Sequence, residues 1–288
     1  ERIGDKTGVS DAIYNLGVVL FRQRDFNQAL EYLQKSLDID EVVADKAKLA
    51  DMIAKIAYCY QQQDNLQQAL EHFQRSLALD REIGGGRSAG LLYSIGAINH
   101  RIGRDADAIE AFRESSILYQ ETGNEVRQYL ALRQMHYLQS NFITSLEYNR
   151  KALALNEAAG NKGTSAWTLN LMSLTSRMIG DHTSSMEYVE KALTLSETVD
   201  DTDLKVNLFM TAGLLHQASQ NRMKALEFFQ KSLVLAEGLK NRFLIAYVQQ
   251  NIGRILFLEG RYAEAMDNFQ KSLALNEAVS SERHLFYT

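Results

Sequence analysis

The chain has 288 residues, of which 45% are hydrophobic and 23% are charged, and its formal net charge at pH 7 is −5. This composition is ordinary for a soluble fold, and its mixed charges argue against generic nucleic-acid binding. The single cysteine, Cys59, excludes an internal disulfide framework, and we interpret it as a small buried residue. No apolar run approaches the roughly 18–20 residues that span a bilayer.

Along the chain, a similar phrase returns about every 40 residues. Each copy opens with a small residue, followed four residues later in most copies by an aromatic or aliphatic residue and then by serine or alanine three residues further on. This spacing predicts one amphipathic helix per copy. Periods of 20–50 residues are typical of solenoids, in which each unit buries its apolar face against its neighbours. The opening residues are Ala29, Ala69, Ala108, Ser145, Ser185, Ala225 and Ala265.

A second amphipathic segment precedes each phrase, so each repeat is predicted to be a helical hairpin. Glycine at 17, 96, 213 and 253 lies twelve residues before the opening small residue, where a missing side chain lets two helices approach closely. We place the repeats at 10–49, 50–88, 89–125, 126–165, 166–205, 206–245 and 246–279, with 1–9 as the end of a preceding repeat and 280–288 as the start of a further helix.

This alternation resembles the tetratricopeptide repeat, whose usual period is about 34 residues. The resemblance implies an all-α solenoid, a right-handed superhelix of about seven antiparallel hairpins. The chain departs from the family in having no proline at all. We therefore expect the second helix of each repeat to be extended and to be the longer one. Repeats of this length with a Gly-Asp-Lys or Gly-Asn-Lys turn, at 4–6 and 160–162, are similar to those of bacterial signalling proteins and of animal polarity adaptors that bind GoLoco peptides.

Catalytic and metal-binding patterns are not found. The glycines at 84–86 follow a predicted helix and lack the ending of a phosphate-binding loop, so we interpret them as a turn. The six histidines are scattered over different repeats, and no serine lies in a nucleophile elbow. The sequence therefore predicts no enzymatic activity, no cofactor and no metal.

The fourth repeat breaks three rules together. Its spacing is 37 residues, Arg133 takes the glycine position and Asn149 takes the aromatic position. Two interpretations stay open, which are tolerated drift and a bend or binding position around Arg127, Arg133 and Asn149.

In the tetratricopeptide architecture the first helix of each repeat lines an inner groove. The exposed stripe of that helix, carried over repeat by repeat, interleaves aromatics and arginines with amides, which suits an extended or helical peptide with acidic groups. The alternative is that some of the tyrosines pack between adjacent first helices. The candidate groove residues are Tyr14, Arg22, Tyr58, Tyr93, Arg101, Arg127, Gln134, Tyr137, Trp167, Asn170, Arg177, Asn207, Tyr247, Gln250 and Arg254.

The sequence therefore predicts a protein- or peptide-binding module. We expect it to be the sensory or scaffolding part of a larger cytoplasmic bacterial signalling protein, with an effector domain outside this sequence and no direct contact with nucleic acid or membrane. The alternative is a structural element whose arrays stack into homodimers or larger homo-oligomers.

Overall fold

The computed structural model describes residues 3–40, 45–239 and 241–285. Within these ranges the chain forms fourteen α-helices and no strand, which confirms the all-α prediction. No helix in the described ranges is both long and apolar enough to cross a membrane. The helices are α1 (Ile3–Arg22), α2 (Phe26–Asp40), α3 (Lys46–Gln62), α4 (Leu66–Glu82), α5 (Ser88–Arg101), α6 (Asp105–Glu121), α7 (Glu125–Leu138), α8 (Phe142–Ala158), α9 (Lys162–Ile179), α10 (His182–Ser196), α11 (Thr202–Ala218), α12 (Arg222–Gly238), α13 (Arg242–Leu258) and α14 (Tyr262–Leu285).

The chain divides into two compact units, Glu1–Gln139 and Ser140–Thr288, which we call unit 1 and unit 2. Unit 1 holds α1 to α7, with hairpins α1–α2, α3–α4 and α5–α6. Unit 2 holds α8 to α14, with hairpins α9–α10, α11–α12 and α13–α14. The division falls in the turn between α7 and α8, which together make up the fourth repeat.

The predicted repeat starts lie one to seven residues inside the first helix of each repeat. For example, the start predicted at residue 50 lies in α3, which begins at Lys46. The segment predicted as the end of a preceding repeat belongs to α1 from Ile3 onward. Likewise, the start of a further helix predicted at residue 280 lies within α14, which continues to Leu285.

The two helices of a hairpin pack through the size complementarity that the sequence predicted. A Cβ atom built on Gly96 would lie 3.0 Å from the Phe112 ring, and one built on Gly213 would lie 2.6 Å from the Phe229 ring. Both rings are fully or almost fully buried. Each unit thus builds its core from large side chains of second helices that fill the space left by small residues of first helices.

The prediction of a longer second helix is wrong as a general rule. Helices α3 and α4 have 17 residues each, and in the fifth repeat α9 has 18 residues while α10 has 15. The period of about 40 residues therefore reflects the length of both helices, because the absence of proline lets either one continue.

The small residue that follows the aromatic position makes a hydrogen bond that the sequence did not predict. The Ser76 Oγ atom donates to the carbonyl oxygen of Ala50 at 2.7 Å, and Ser232 Oγ donates to that of Val206 at 3.0 Å. The bond ties the second helix to the start of the first helix of the same hairpin.

The turn inside each repeat contains one residue with a left-handed backbone. Glycine meets this need at Gly103, Gly180 and Gly260, but Arg24, Asp64, Ser140 and Gln220 adopt the same conformation with φ between 58° and 64°. A side chain makes that conformation unfavourable, by roughly 1–2 kcal/mol. Hairpin packing therefore fixes the turn geometry even where the local residue disfavours it.

Candidate functional site

The fifteen candidate groove residues all lie on first helices. In unit 1 they lie on α1, α3, α5 and α7, and in unit 2 they lie on α9, α11 and α13. Within unit 1, α1 lies against α3, and within unit 2, α9 lies against α11. Each unit thus presents its own row of first helices.

In unit 1, Tyr14 belongs to a polar cluster and is not free for a ligand. Its hydroxyl donates to Asp51 of the next first helix, and Asp51 also accepts from Lys55 and pairs with Arg87, whose Nη1 atom lies 2.9 Å away. Burial and the Asp51 hydrogen bond raise the pKa of Tyr14. Burial alone would raise the pKa of Asp51, but the bonds from Lys55 and Tyr14 hold it below its usual value. The cluster joins α1, α3 and the start of α5.

Tyr58 and Tyr93 are half-buried and pack inside unit 1. The ring of Tyr58 meets that of Phe73 edge to face at 4.7 Å, and its hydroxyl lies 3.1 Å from Ser94 Oγ on the next first helix. Tyr93 meets Phe112 in the same manner at 5.2 Å. These contacts match the alternative considered for the tyrosines, since Tyr58 spans two adjacent first helices.

Two of the three candidate arginines of unit 1 also have partners. Arg101 forms an ion pair with Asp64, which lies 37 positions earlier in the turn of the preceding hairpin. Arg127 donates to the Tyr119 hydroxyl at 3.3 Å and lies over the Tyr119 ring. Arg22 is exposed near the end of α1.

On α7, Gln134 and Tyr137 both contact Arg133, a residue that the candidate set lacks. The Arg133 Nη1 atom donates to Gln134 Oε1 at 2.6 Å, and the guanidinium lies 5.2 Å from the centre of the Tyr137 ring. Arg133 is only 4% exposed, and burial lowers its pKa. Most candidate side chains of unit 1 are thus engaged within the unit.

Among the fifteen candidates in the described ranges, Asn170 and Arg177 of α9 are the two with buried polar atoms that lack a partner, although Gln61 and Asn99 of unit 1, outside the candidate set, have such atoms too. Asn170 is 3% exposed, and Arg177 lies two turns further along the same face. In the part of the chain that the structure describes, neither Asn170 Oδ1 nor the buried Nε atom of Arg177 has a hydrogen-bond partner. Trp167, one turn before Asn170, is half-buried against the core of unit 2. Because buried polar atoms are nearly always satisfied in native proteins, these two need an explanation.

Helices α11 and α13 continue this row with a mixture of engaged and exposed groups. Asn207 donates through Nδ2 to the Asp203 carbonyl oxygen at 2.8 Å. Tyr247 is 38% exposed, and Gln250 is also exposed. Arg254 donates to Gln217 Oε1 of α11 at 3.1 Å, which links the two first helices.

Sequence reasoning missed several residues that form hydrogen bonds or ion pairs with the candidate side chains. Asn251 is buried, donates to the Tyr247 carbonyl oxygen at 2.8 Å and accepts from Arg254 at 3.0 Å. Asp51 accepts a hydrogen bond from the Tyr14 hydroxyl, and Asp64 forms an ion pair with Arg101. Asp51 and Asn251 lie on the same first-helix stripe, so a count of every polar residue on that stripe would have found them. Asp64 lies in a turn, where the helical period gives no signal.

Comparison with known structures returns proteins of the same fold at low sequence identity. A Rap protein complexed with competence and sporulation factor is 12% identical over 93% of this chain and 75% of its own, with a TM-score of 0.75. The Rap conjugation gene regulator of plasmid pLS20, in complex with the Phr* peptide, is 14% identical over 92% of this chain and 73% of its own, with a TM-score of 0.72. Aspartyl phosphate phosphatase F from Bacillus subtilis is 14% identical over 92% of this chain and 69% of its own, with a TM-score of 0.69.

No curated protein matches the chain. A family model described as tetratricopeptide repeat matches residues 8–82, 49–121 and 206–278, which together cover more than half of the sequence. The match includes hairpins of both units, and the Gly-Phe packing inside those hairpins agrees with the repeat pattern. The chain therefore belongs to the tetratricopeptide repeat family.

Proposed function

We propose that the protein binds a peptide or a protein segment on the row of first helices in unit 2. We call this surface the unit 2 face, formed by Trp167, Asn170, Arg177, Asn207, Tyr247, Gln250 and Arg254. The observation that carries the proposal is the pair of unsatisfied buried atoms, Asn170 Oδ1 and Arg177 Nε. Leaving such an atom without a partner costs roughly 1–3 kcal/mol, and a bound ligand would recover that energy.

The chemistry of this face fits a polypeptide. An amide oxygen accepts from a backbone N–H, a guanidinium donates to carbonyl or carboxylate oxygens, and half-exposed aromatic rings bury apolar side chains. Trp167, Asn170 and Arg177 place one group of each kind on a single face of α9. An extended or helical segment that follows the helix row would meet these groups in turn.

We propose further that the segment carries an acidic residue. Arg177 and Arg254 are the candidate arginines of unit 2, and the bonds of Arg254 are to neutral amides. Arg101 of unit 1 already pairs with the carboxylate of Asp64, so we do not include it among the arginines that bind the acidic residue. A charge-assisted hydrogen bond from Arg177 would contribute about 1.5–3 kcal/mol to binding.

The comparisons support binding of a signalling segment without extending to its identity. Two of the similar structures hold a bound factor or peptide, and one of them is named a gene regulator. At such low identity this likeness concerns the fold, so the role in bacterial regulation, the cytoplasmic location and the effector domain remain our proposals.

We also propose that the chain binds without catalysing a reaction, although one similar structure is named a phosphatase. The fifteen candidate residues are tyrosines, a tryptophan, amides and arginines. That set supplies groups for recognition and contains no carboxylate, histidine, cysteine or serine to act as nucleophile or base.

The test begins with selection of binders from a random displayed peptide library against the full chain. Synthetic copies of the selected peptides are then titrated against wild type, Arg177→Glu and the control Arg150→Glu, which changes an exposed arginine of second helix α8. We expect affinity to fall at least tenfold for Arg177→Glu and to stay unchanged for the control, because about 1.5 kcal/mol corresponds to roughly a factor of ten. Equal affinity of the peptides for wild type and Arg177→Glu would show that they bind somewhere other than the unit 2 face.

A second variant separates binding from folding. Asn170→Leu replaces the unsatisfied amide by an apolar side chain of similar volume, so it should weaken peptide binding while raising the free energy of unfolding. Loss of both binding and stability would mean that Asn170 is a structural residue.

A further inference from the structure

A group of apolar side chains is exposed in unit 2 where the first helix α9 ends. Met178 and Ile179, the last two residues of α9, are 46% and 42% exposed, and Ile143 near the start of α8 is 67% exposed. Helix α8 packs against α9 within unit 2. We call these three residues the apolar edge. Exposed apolar side chains that are grouped, unlike single ones, indicate a surface that another molecule covers.

In unit 1, two of the corresponding positions hold amides that bond to each other. Asn27 lies two residues before the small residue that opens its phrase, as Ile143 does, and Gln63 lies six residues before the next such residue, as Ile179 does. The Gln63 Nε2 atom donates to Asn27 Oδ1 at 2.8 Å. In unit 1 this pair of positions thus joins the start of one second helix to the end of the next first helix through polar side chains.

The isoleucine pair occurs at one place in the chain. In every other repeat the same two positions include at least one amide, hydroxyl or carboxylate side chain. The other pairs are Asn27 and Gln63, Gln67 and Ile102, Ala106 and Gln139, Thr183 and Ser219, and Met223 and Glu259. The repeat therefore does not require two apolar side chains at this edge, and hairpin packing does not explain Ile143 and Ile179.

The apolar edge continues the unit 2 face. Met178 directly follows Arg177, whose buried Nε atom has no hydrogen-bond partner in the described part of the chain. Ile179 lies about 3 Å further along the helix axis than Arg177. One residue of an extended segment advances about 3.3 Å. A segment that places an acidic residue at Arg177 therefore brings its next residue, or the one after it, to the apolar edge.

We propose that the segment bound on the unit 2 face carries a large apolar residue within two positions of its acidic residue, and that this apolar side chain covers Ile143 and Ile179. The inference rests on the proposed function, because Arg177 fixes where the acidic residue lies. It adds a second element of specificity. The acidic group is selected by charge at Arg177, and its apolar neighbour is selected by burial against the apolar edge.

The test uses the peptides selected against the full chain and the double variant Ile143→Asn with Ile179→Gln. This variant copies the amide pair of unit 1 at two exposed positions, so it should fold as the wild type does, which circular dichroism checks. We expect peptide affinity to fall at least fivefold, because the bound apolar side chain loses its apolar surroundings. The control is Val234→Gln, which changes an α12 side chain that is also 67% exposed and should leave affinity unchanged.

A matching exchange in the peptide replaces the apolar residue beside the acidic one by serine. It should weaken binding to the wild type at least fivefold but change binding to the double variant less than twofold, because the two changes remove the same contact. Equal losses for both proteins would place that residue elsewhere and overturn the inference. Selected peptides without a large apolar residue within two positions of the acidic one would overturn it as well.

The Arg177→Glu variant separates this inference from the proposed function. If Arg177→Glu weakens binding and the double variant does not, the peptide binds on the unit 2 face without using the apolar edge, and this inference alone is wrong. If Arg177→Glu leaves binding unchanged, the proposed function fails and the inference falls with it.

A second copy of the chain is the alternative occupant of the apolar edge. Sedimentation velocity without peptide distinguishes the two, and we expect the wild type and the double variant to sediment alike. A wild-type dimer that the double variant abolishes would show that Ile143 and Ile179 pair with another copy, which would overturn the inference.

Discussion

Adding one methyl group at Gly213 should destabilise the protein, although alanine forms helices better than glycine. The new Cβ would lie 2.6 Å and 2.7 Å from two carbons of the Phe229 ring, which is fully buried and has no room to turn away. Overpacking of this kind costs about 1–3 kcal/mol. The higher helix propensity of alanine offsets about 1 kcal/mol of this cost, so we expect Gly213→Ala to lower the free energy of unfolding by roughly 0–2 kcal/mol.

Gly8→Ala is the matched control, because Gly8 lies inside α1 with no atom within 4 Å of the added Cβ. That variant should gain up to about 1 kcal/mol from helix propensity alone. Urea unfolding followed by circular dichroism measures both, and amide hydrogen exchange shows whether the loss is confined to α11 and α12. Adding Phe229→Val to Gly213→Ala should relieve the clash, because the fifth repeat combines the small buried residues Ser173 and Val189 at the same two positions. We expect a coupling energy between the two substitutions of about 1 kcal/mol. If Gly213→Ala proved as stable as Gly8→Ala, the packing argument would be refuted.

Three further changes test other parts of the fold. Gln220 has φ 59°, so Gln220→Gly should stabilise by about 1 kcal/mol in thermal unfolding, whereas Gly260→Ala at φ 77° should destabilise by a similar amount. Ser232→Ala removes the 3.0 Å bond to Val206 and should cost about 0.5–1.5 kcal/mol, with faster amide exchange at the start of α11. Burial raises the pKa of Cys59 to about 12, so its thiol should react with a thiol reagent only on unfolding. Because the folded state holds that proton more tightly, stability should fall as pH rises from about 9 toward 12.

The hairpins were predictable because their packing rule repeats along the chain. A small residue on one helix and a large one sixteen positions later form a pattern that is visible without coordinates, as at Gly96 and Phe112. The left-handed turn positions were not predictable in the same way. Gln220 and Arg24 carry no local preference for that conformation, so only the closing of the hairpin imposes it.

The candidate site was predictable only in part, because the helical period gives the direction of a side chain and not its partner. It placed Arg101 and Arg177 on equivalent stripes of different first helices. Whether such an arginine is free depends on a residue about 37 positions away in another repeat, as Asp64 is for Arg101. That pairing follows from the distance between successive helices, which the sequence pattern alone does not fix.

The division of labour between the two helices of a repeat explains why a ligand surface can arise on the first helix at low cost in stability. Second helices carry the residues that hold each hairpin together, such as Phe229 and Ser232. First-helix stripe residues vary from repeat to repeat, and at one equivalent position Tyr58 bonds to the next first helix while Arg254 bonds to the preceding one. In unit 1 most of the candidate side chains have partners within the unit. At Asn170 the same freedom leaves a buried amide oxygen without a partner, and a fold that tolerates this loss in one place has energy there for a ligand to recover.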